Sequence, residues 1–238
     1  MKFAVIGDIH SNKYALESVL EDIKERNVDF IISTGDLVGY LPYPNEVIDL
    51  LRRHSVLSVK GNHDEFISNC TSITKDEFDQ YTLEKKQASA SAIYTNYVIT
   101  DENRRYLKGL PSYLKFEMEG INFMVVHGSH RDISEYLYED KEYLSELSMT
   151  LPTDVLICGH THIPYHYTVN HKTFINVGSV GKPKTGNELA TYTIIHVDNQ
   201  SVQSEVVQVS YDLDTLVKEI LDNEAISNTL VDSLRHGK

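Results

Sequence analysis

The sequence predicts an α/β fold: a parallel sheet built first, then a second, strand-rich sheet. Three observations predict it. Short apolar runs alternate with amphipathic segments through residue 64. Residues of about 66–114 are polar and helical in pattern. From Lys115 onward, short strands are separated by turn residues such as Glu119-Gly120, Asn170-His171 and Asp198-Asn199, the signature of hairpins.

In order, KFAVIGD reads as a buried strand, and NKYALESVLEDIKERN as a helix with Ala15, Val19, Leu20 and Ile23 on one face. VDFIISTGD is the next strand, PNEVIDLLRRH a helix opened by Pro44, and SVLSVKGNHD a third strand. Strands joined by helices over connections this short pair in parallel. KKQASASAIYTNYVI and DENRRYLKGLP then predict helices over a face or cleft, the last ended by Gly109 and Pro111. LKFEME, INFMVVHGS, DVLICGHTH, YHYTVN, KTFINVGS, ATYTIIHV and SVQSEVVQVSY follow as strands, and Leu213 to Leu234 as closing helices. With no repeat, low-complexity run or linker, residues 1–238 read as one domain with a helical, cap-like segment.

The 238 residues suffice for a core without covalent staples. A hydrophobic content of 41% with 24% charged residues is that of a globular chain. Runs such as FIIS and FMVV are too short to span a bilayer, and MKFAVIGDIH turns polar too early for a signal peptide. Cys70 and Cys158 lie in no CxxC, so a disulfide scaffold is not expected and the cytoplasm is the expected compartment. A formal charge of −13 argues against a nucleic-acid grip and is compatible with bound multivalent cations.

Five polar clusters end five apolar runs. They are Gly7-Asp8-Ile9-His10, Gly35-Asp36, Gly61-Asn62-His63-Asp64, His127-Gly128 and Gly159-His160-Thr161-His162. The carboxyl ends of parallel strands converge on one crevice. The clusters therefore offer Asp8, Asp36, Asn62, His10, His127, His160 and His162 to one place, with His63 to spare. Oxygen and nitrogen donors without thiolate suit a pair of divalent ions sharing a carboxylate. Two such ions roughly 3.5–4 Å apart clamp a phosphate and acidify water. Taken singly, Asp8 and Asp36 also fit caps, Asn62 a turn and His127 a core histidine.

The ordered set GDIH, GDLVG, GNHD, VHGS and GHTH resembles the calcineurin-like metallophosphoesterase superfamily over roughly residues 1–180. GDLVGYLPYPNEVI, VHGSHRDISEYLY and NVGSVGKPK look like its branch of small prokaryotic phosphodiesterases and phosphatases. The resemblance implies a four-layer α/β/β/α sandwich of two mixed sheets. It implies one metal on Asp8, His10, Asp36 and His162, and another on Asp36, Asn62, His127 and His160, with Asp36 bridging. His63 is implied as the catalytic group beside the leaving group, and a metal-bound hydroxide as nucleophile. Asp64 is expected to order its turn.

Protein Ser/Thr phosphatases and diadenosine tetraphosphate hydrolases carry GDxVDRG, where this chain has Gly39 and Tyr40. The absent arginine removes a bidentate phosphate partner. Phosphodiesters are therefore favoured over monoesters, with a nucleotide or phosphoprotein phosphatase as the alternative. A metal-occupied scaffold is the non-enzymatic alternative, although the retromer subunit of this fold lacks the histidine found here at His63. Mn²⁺ or iron suits the donors, with Zn²⁺, Ni²⁺ and Mg²⁺ as alternatives. Arg131 and Tyr40 are candidate substrate contacts, Arg131 alternatively forming a surface ion pair. Lys172, Lys182 and Lys184 are weaker candidates. The expected partner is a small phosphate ester, with no membrane or nucleic-acid partner and no indication of oligomeric state.

Overall fold

The computed structural model describes residues 1–199 and 201–238. Strand β1 (Lys2–Ile6) leads through helix α1 (Lys13–Glu25) to β2 (Ile31–Ser33), and α2 (Pro44–Arg53) leads to β3 (Leu57–Ser58). Asn12 caps α1 by accepting from Ala15 N at 3.1 Å. Pro44 opens α2 at a position where its missing N–H costs nothing. The three strands pair in parallel, as the alternating pattern predicts.

The third strand differs from expectation. SVLSVK forms only a two-residue β3, and Asn62-His63-Asp64 begin helix α3 (Asn62–Asn69) rather than ending a strand. The cause is Asp64, whose Oδ2 accepts the Gly61 N–H at 2.9 Å and so caps the helix start. Helices α4 (Lys75–Gln80), α5 (Leu83–Ala88), α6 (Ala90–Val98) and α7 (Asp101–Gly109) complete the helical segment. It thus runs over 62–109 instead of 66–114. Arg104 ties it together, donating to the carbonyls of Ile67, Cys70 and Asn96. Asn45 anchors it to α2, donating to Val98 O and accepting from Thr100 N and Asn103 Nδ2.

The second sheet takes β4 (Leu114–Met118), β5 (Ile121–Val125), β6 (Val155–Cys158), β7 (Tyr165–Val169) and β8 (Lys172–Asn176) in the order β4-β5-β6-β8-β7. Helix α8 (Lys141–Ser148) lies between β5 and β6 in sequence. Strands β9 (Ala190–Asp198) and β10 (Ser201–Val209) return to the first sheet, giving β10-β9-β1-β2-β3. Helices α9 (Leu213–Asp222) and α10 (Thr229–His236) close the chain. The turns at Glu119-Gly120 and Asn170-His171 have both residues left-handed, the twist that two-residue hairpins need. Asp198 pairs with Ser201 across the third reversal, where Asn199 is left-handed.

Both sheets are mixed and pack face to face. Phe3, Val5 and Ile32 of one meet Phe123, Val125, Ile157 and Ile175 of the other in a shared apolar core. Each such side chain contributes about 1.5–3 kcal/mol on burial. Helices α1, α2, α3 and α7 cover the outer face of the first sheet, and α8 covers that of the second through Leu144 and Leu147. The result is the four-layer α/β/β/α sandwich. The loops after β1, β2, β5 and β6 and the start of α3 carry the five polar clusters. No helix among the described residues is long and apolar enough to cross a membrane.

Candidate metal centre

Main-chain hydrogen bonds extend beyond the strands and lock these loops together. Asp8 N donates to Gly35 O at 2.9 Å, His10 N to Asp36 O at 3.0 Å, and Gly159 N to His127 O at 2.9 Å. Asp8, His10, Asp36, His160 and His162 all adopt left-handed backbone, with φ of 50°, 49°, 51°, 66° and 64°. That conformation costs about 1–2 kcal/mol per non-glycine residue, and such strain gathers at functional sites. Gly61 allows a close approach: a Cβ there would lie 2.1 Å from Asp36 Oδ1.

Each of the four imidazoles spends one nitrogen on a main-chain carbonyl. His10 Nδ1 bonds Val38 O (3.3 Å), His127 Nδ1 bonds Thr34 O (3.0 Å), His160 Nε2 bonds Ser134 O (3.1 Å) and His162 Nδ1 bonds Lys182 O (2.6 Å). A carbonyl can only accept, so each of these nitrogens carries the hydrogen. The opposite nitrogen of a neutral ring is then a bare lone pair. Those lone pairs face one another: His10 Nε2 lies 3.2 Å from His162 Nε2, and His127 Nε2 lies 3.1 Å from His160 Nδ1.

More acceptors crowd the same points. Asp8 Oδ1 is 3.2 Å from His162 Nε2, and Asn62 Oδ1 is 2.9 Å from His127 Nε2. Asp36 Oδ2 stands between the two histidine pairs, 3.7 Å from His10 Nε2 and 3.4 Å from His127 Nε2. Asp8 Oδ2 accepts from His160 N at 2.9 Å, but Asp8 Oδ1 is buried without a hydrogen-bond partner. Acceptors converging in a buried space without a donor call for a cation. The ligand atoms of Asp8, His10 and His162 lie within 4.8 Å of one another, as do those of Asp36, His127 and His160. Both groups can hold a metal ion, and His10, Asp36 and His63 form a third, overlapping group.

The ionisation pattern carries the same demand. Burial pushes His127 down, but Asp36 more than offsets it and raises the ring to about 9. Burial drives His160 down to about 4, helped by His127, and takes His10 well below its ordinary value. Burial opposes ionisation of both carboxyls, yet His162 holds Asp8 low and His127 holds Asp36 far lower. The two carboxylates are thus met by a proton on His127, and a divalent cation would answer the same charge while leaving His127 Nε2 bare.

His63 sits at the rim. Its main-chain N–H donates to Asp36 Oδ1 at 2.9 Å, and its ring packs against His10 (5.1 Å) and Tyr40 (4.8 Å between centroids). Burial lowers its pKa, against the pull of Asp36. It lines two cavities of about 680 and 650 Å³ whose other walls include Ser91 and Ala92 of α6. The helical segment therefore borders the cleft. Tyr40 also reaches the site, 4.8 Å from His10, whereas Arg131 is engaged by Glu135 and Tyr143 in an ion pair. Asp64 is buried and accepts from the N–H groups of Gly61, Leu37 and Val38. It orders the loops as expected.

One segment that the sequence reading used only for its resemblance and its lysines also supports the site. In NVGSVGKPK, Ser179 Oγ donates to Asp8 O (2.7 Å), Asn176 Nδ2 to Gly159 O (2.6 Å), and Lys182 O orients His162. Only the proximity of β8 to the first motif reveals these contacts, since more than 160 residues separate Ser179 from Asp8. The Lys182 ammonium is half-buried 5.7 Å from the Tyr40 ring centre, its pKa lowered by burial and Lys184. Lys172 instead pairs with Asp154 at 3.5 Å.

The model of the calcineurin-like phosphoesterase superfamily domain matches residues 1–200. The chain belongs to this superfamily. It is 34% identical over 237 residues to the uncharacterised protein MJ0912 of Methanocaldococcus jannaschii, covering 92% of each chain. It is 27% identical over 225 residues to phosphodiesterase YfcE of Escherichia coli, covering 88% of this chain and 98% of YfcE. A metallophosphoesterase crystal structure from Sphaerobacter thermophilus aligns with a TM-score of 0.83 at 28% identity, covering 100% of this chain and 99% of that one. Membership of the superfamily makes this a metal-dependent phosphoester hydrolase.

Proposed function

We propose that the protein is a dinuclear phosphodiesterase of the cytoplasm, acting as one domain on a small phosphate ester. Asp8, His10, Asp36 and His162 hold one ion, and Asp36, Asn62, His127 and His160 the other, with Mn²⁺ or iron best suited to the donors. The observation that carries this reading is the pairing of bare imidazole nitrogens at 3.2 and 3.1 Å, each ring turned by a main-chain carbonyl. Carbonyl hydrogen bonds of this kind fix the tautomer of metal-ligating histidines.

Divalent ions, when bound, supply charge that acidifies water and polarises a phosphoryl group. The chain's own residues supply the rest. The carbonyls of Val38, Thr34, Ser134 and Lys182 hold the rings in register. His63, anchored through its main-chain N–H to Asp36, presents its ring to the cleft and holds a proton beside the departing alkoxide.

Diesters are favoured because position 40 is tyrosine and Arg131 is held by Glu135, so neither position offers a free guanidinium to grip a dianion. The name of YfcE points the same way. One observation favours a monoesterase instead: Lys182 is a half-buried ammonium beside Tyr40, and burial lowers its pKa. The test uses chelator-stripped protein re-supplied with Mn²⁺, on a bis-aryl phosphodiester and the matching aryl monoester. Faster diester cleavage is expected. Faster monoester cleavage selects the phosphatase, and two bound metals with no turnover of either ester select a non-catalytic scaffold.

A further inference from the structure

The loop between β5 and α8 carries an exposed aromatic pair that the metal chemistry leaves unused. Tyr136 stacks on the His160 ring, with 4.0 Å between centroids and 25° between planes. Tyr138 stacks in turn on Tyr136, at 6.0 Å and 9°. Both tyrosines are half-exposed, at 51% and 50%. Large aromatic surface is normally buried, and a continuous stack left open to solvent marks a binding surface.

The loop is built to hold this pair still. Ser129 Oγ accepts from Arg131 N (3.0 Å) and Asp132 N (3.1 Å), and Asp132 Oδ1 accepts from Ser134 N (2.7 Å). Arg131, Glu135 and Tyr143 clamp the loop to α8. Ser134, two residues before Tyr136, orients His160 and lines the 680 Å³ cavity together with Asn62, His63 and the 51% exposed Phe66. The ion pair that removes Arg131 from phosphate binding thereby fixes the aromatic stack beside the metal ligands.

We infer that Tyr136 and Tyr138 form a stacking platform for a planar group on the phosphoester, so that the substrate class is a nucleotide whose base lies on the tyrosines. The inference rests on the phosphoesterase reading of the adjacent metal centre and adds the part of the substrate that the metals do not touch. Base–aromatic stacking is tolerant of base identity because every base offers a π-face. The platform accordingly selects for a base without distinguishing among bases.

Isothermal titration calorimetry of the Mn²⁺-loaded full chain tests this without depending on turnover. Adenosine and uridine 5′-monophosphates are expected to bind about tenfold more tightly than ribose 5-phosphate, which shares the phosphate and lacks the base. Tyr136→Phe keeps this advantage, and Tyr136→Leu loses most of it. Because Tyr136 touches His160, Tyr138→Leu serves as the second variant; it lies one ring away from the ligands and is expected to reduce the ratio several-fold. Binding of all three ligands within about twofold of one another, or a ratio unmoved by both leucine variants, overturns the platform and leaves the phosphoesterase reading standing. Failure of all three to bind the metal-loaded protein overturns the platform, since the base then adds no affinity, and leaves the phosphodiester reading standing, because these ligands are dianionic monoesters.

Discussion

Replacing Asp64 by alanine strands three buried N–H groups at once. Its carboxylate is fully buried, with Oδ1 accepting from Leu37 N at 3.0 Å and Val38 N at 3.2 Å, and Oδ2 accepting from Gly61 N at 2.9 Å. An unsatisfied buried donor costs about 1–3 kcal/mol, so three, partly relieved by entering water, destabilise by about 4 kcal/mol. Against a typical stability of roughly 5–15 kcal/mol that is a large fraction. The expected fall in Tm is on the order of 10 °C. Asp64→Asn keeps an oxygen for Leu37 and Val38 but sets an NH₂ against the Gly61 N–H, and is expected to cost about 2 kcal/mol. Urea titration and thermal melts of the three metal-stripped proteins measure both values. An Asp64→Ala protein within about 1 kcal/mol of the parent refutes the reasoning. So does an Asp64→Asn protein of unchanged stability and abolished turnover, because the carboxyl then serves chemistry and not the loop.

Three further outcomes follow from the same geometry. Adding Mn²⁺ at about a hundred times its Kd to stripped protein should stabilise it by about 2.7 kcal/mol for each site filled, and Asp36→Ala should abolish both that shift and the binding of two ions measured by elemental analysis. Gly39→Ala places a Cβ 2.8 Å from His63 Nδ1 at a residue with φ of +107°; turnover should fall at least about tenfold with metal content retained, and full activity shows that the position of His63 is unimportant. Glu135 is held down to about 2, where the Arg131 and Tyr143 hydrogen bonds outweigh the opposing effect of burial. A depressed carboxyl contributes stability above its unfolded pKa, near 4.5, and loses it as pH falls through about 2. The Tm gap between the parent and Glu135→Gln should therefore close over that acidic window, and a constant gap rules the linkage out.

The donor set was legible because each ligand directly follows an apolar run, and a run of alternating or continuous burial is a local property of the chain. Asp8, Asp36, His127 and His160 could thus be assigned to strand-end loops of one crevice from order alone, as could the hairpins at Glu119-Gly120 and Asn170-His171 from their turn residues. The two-sheet architecture was legible for the same reason. The β3 boundary was not, because the local cap of Asp64 on Gly61 depends on a buried carboxylate that is held in place by a loop 26 and 27 residues earlier. Arg131 was equally undecidable, since its choice of partner turns on where α8 brings Tyr143. What the sequence determined by itself was which donors exist and in what order they occur. Only the tertiary structure decided which nitrogen of each histidine is bare, because that choice belongs to the carbonyls of Val38, Thr34, Ser134 and Lys182. Those carbonyls are brought in by loops whose positions depend on the packing of two sheets, and no periodicity in a single segment encodes that packing.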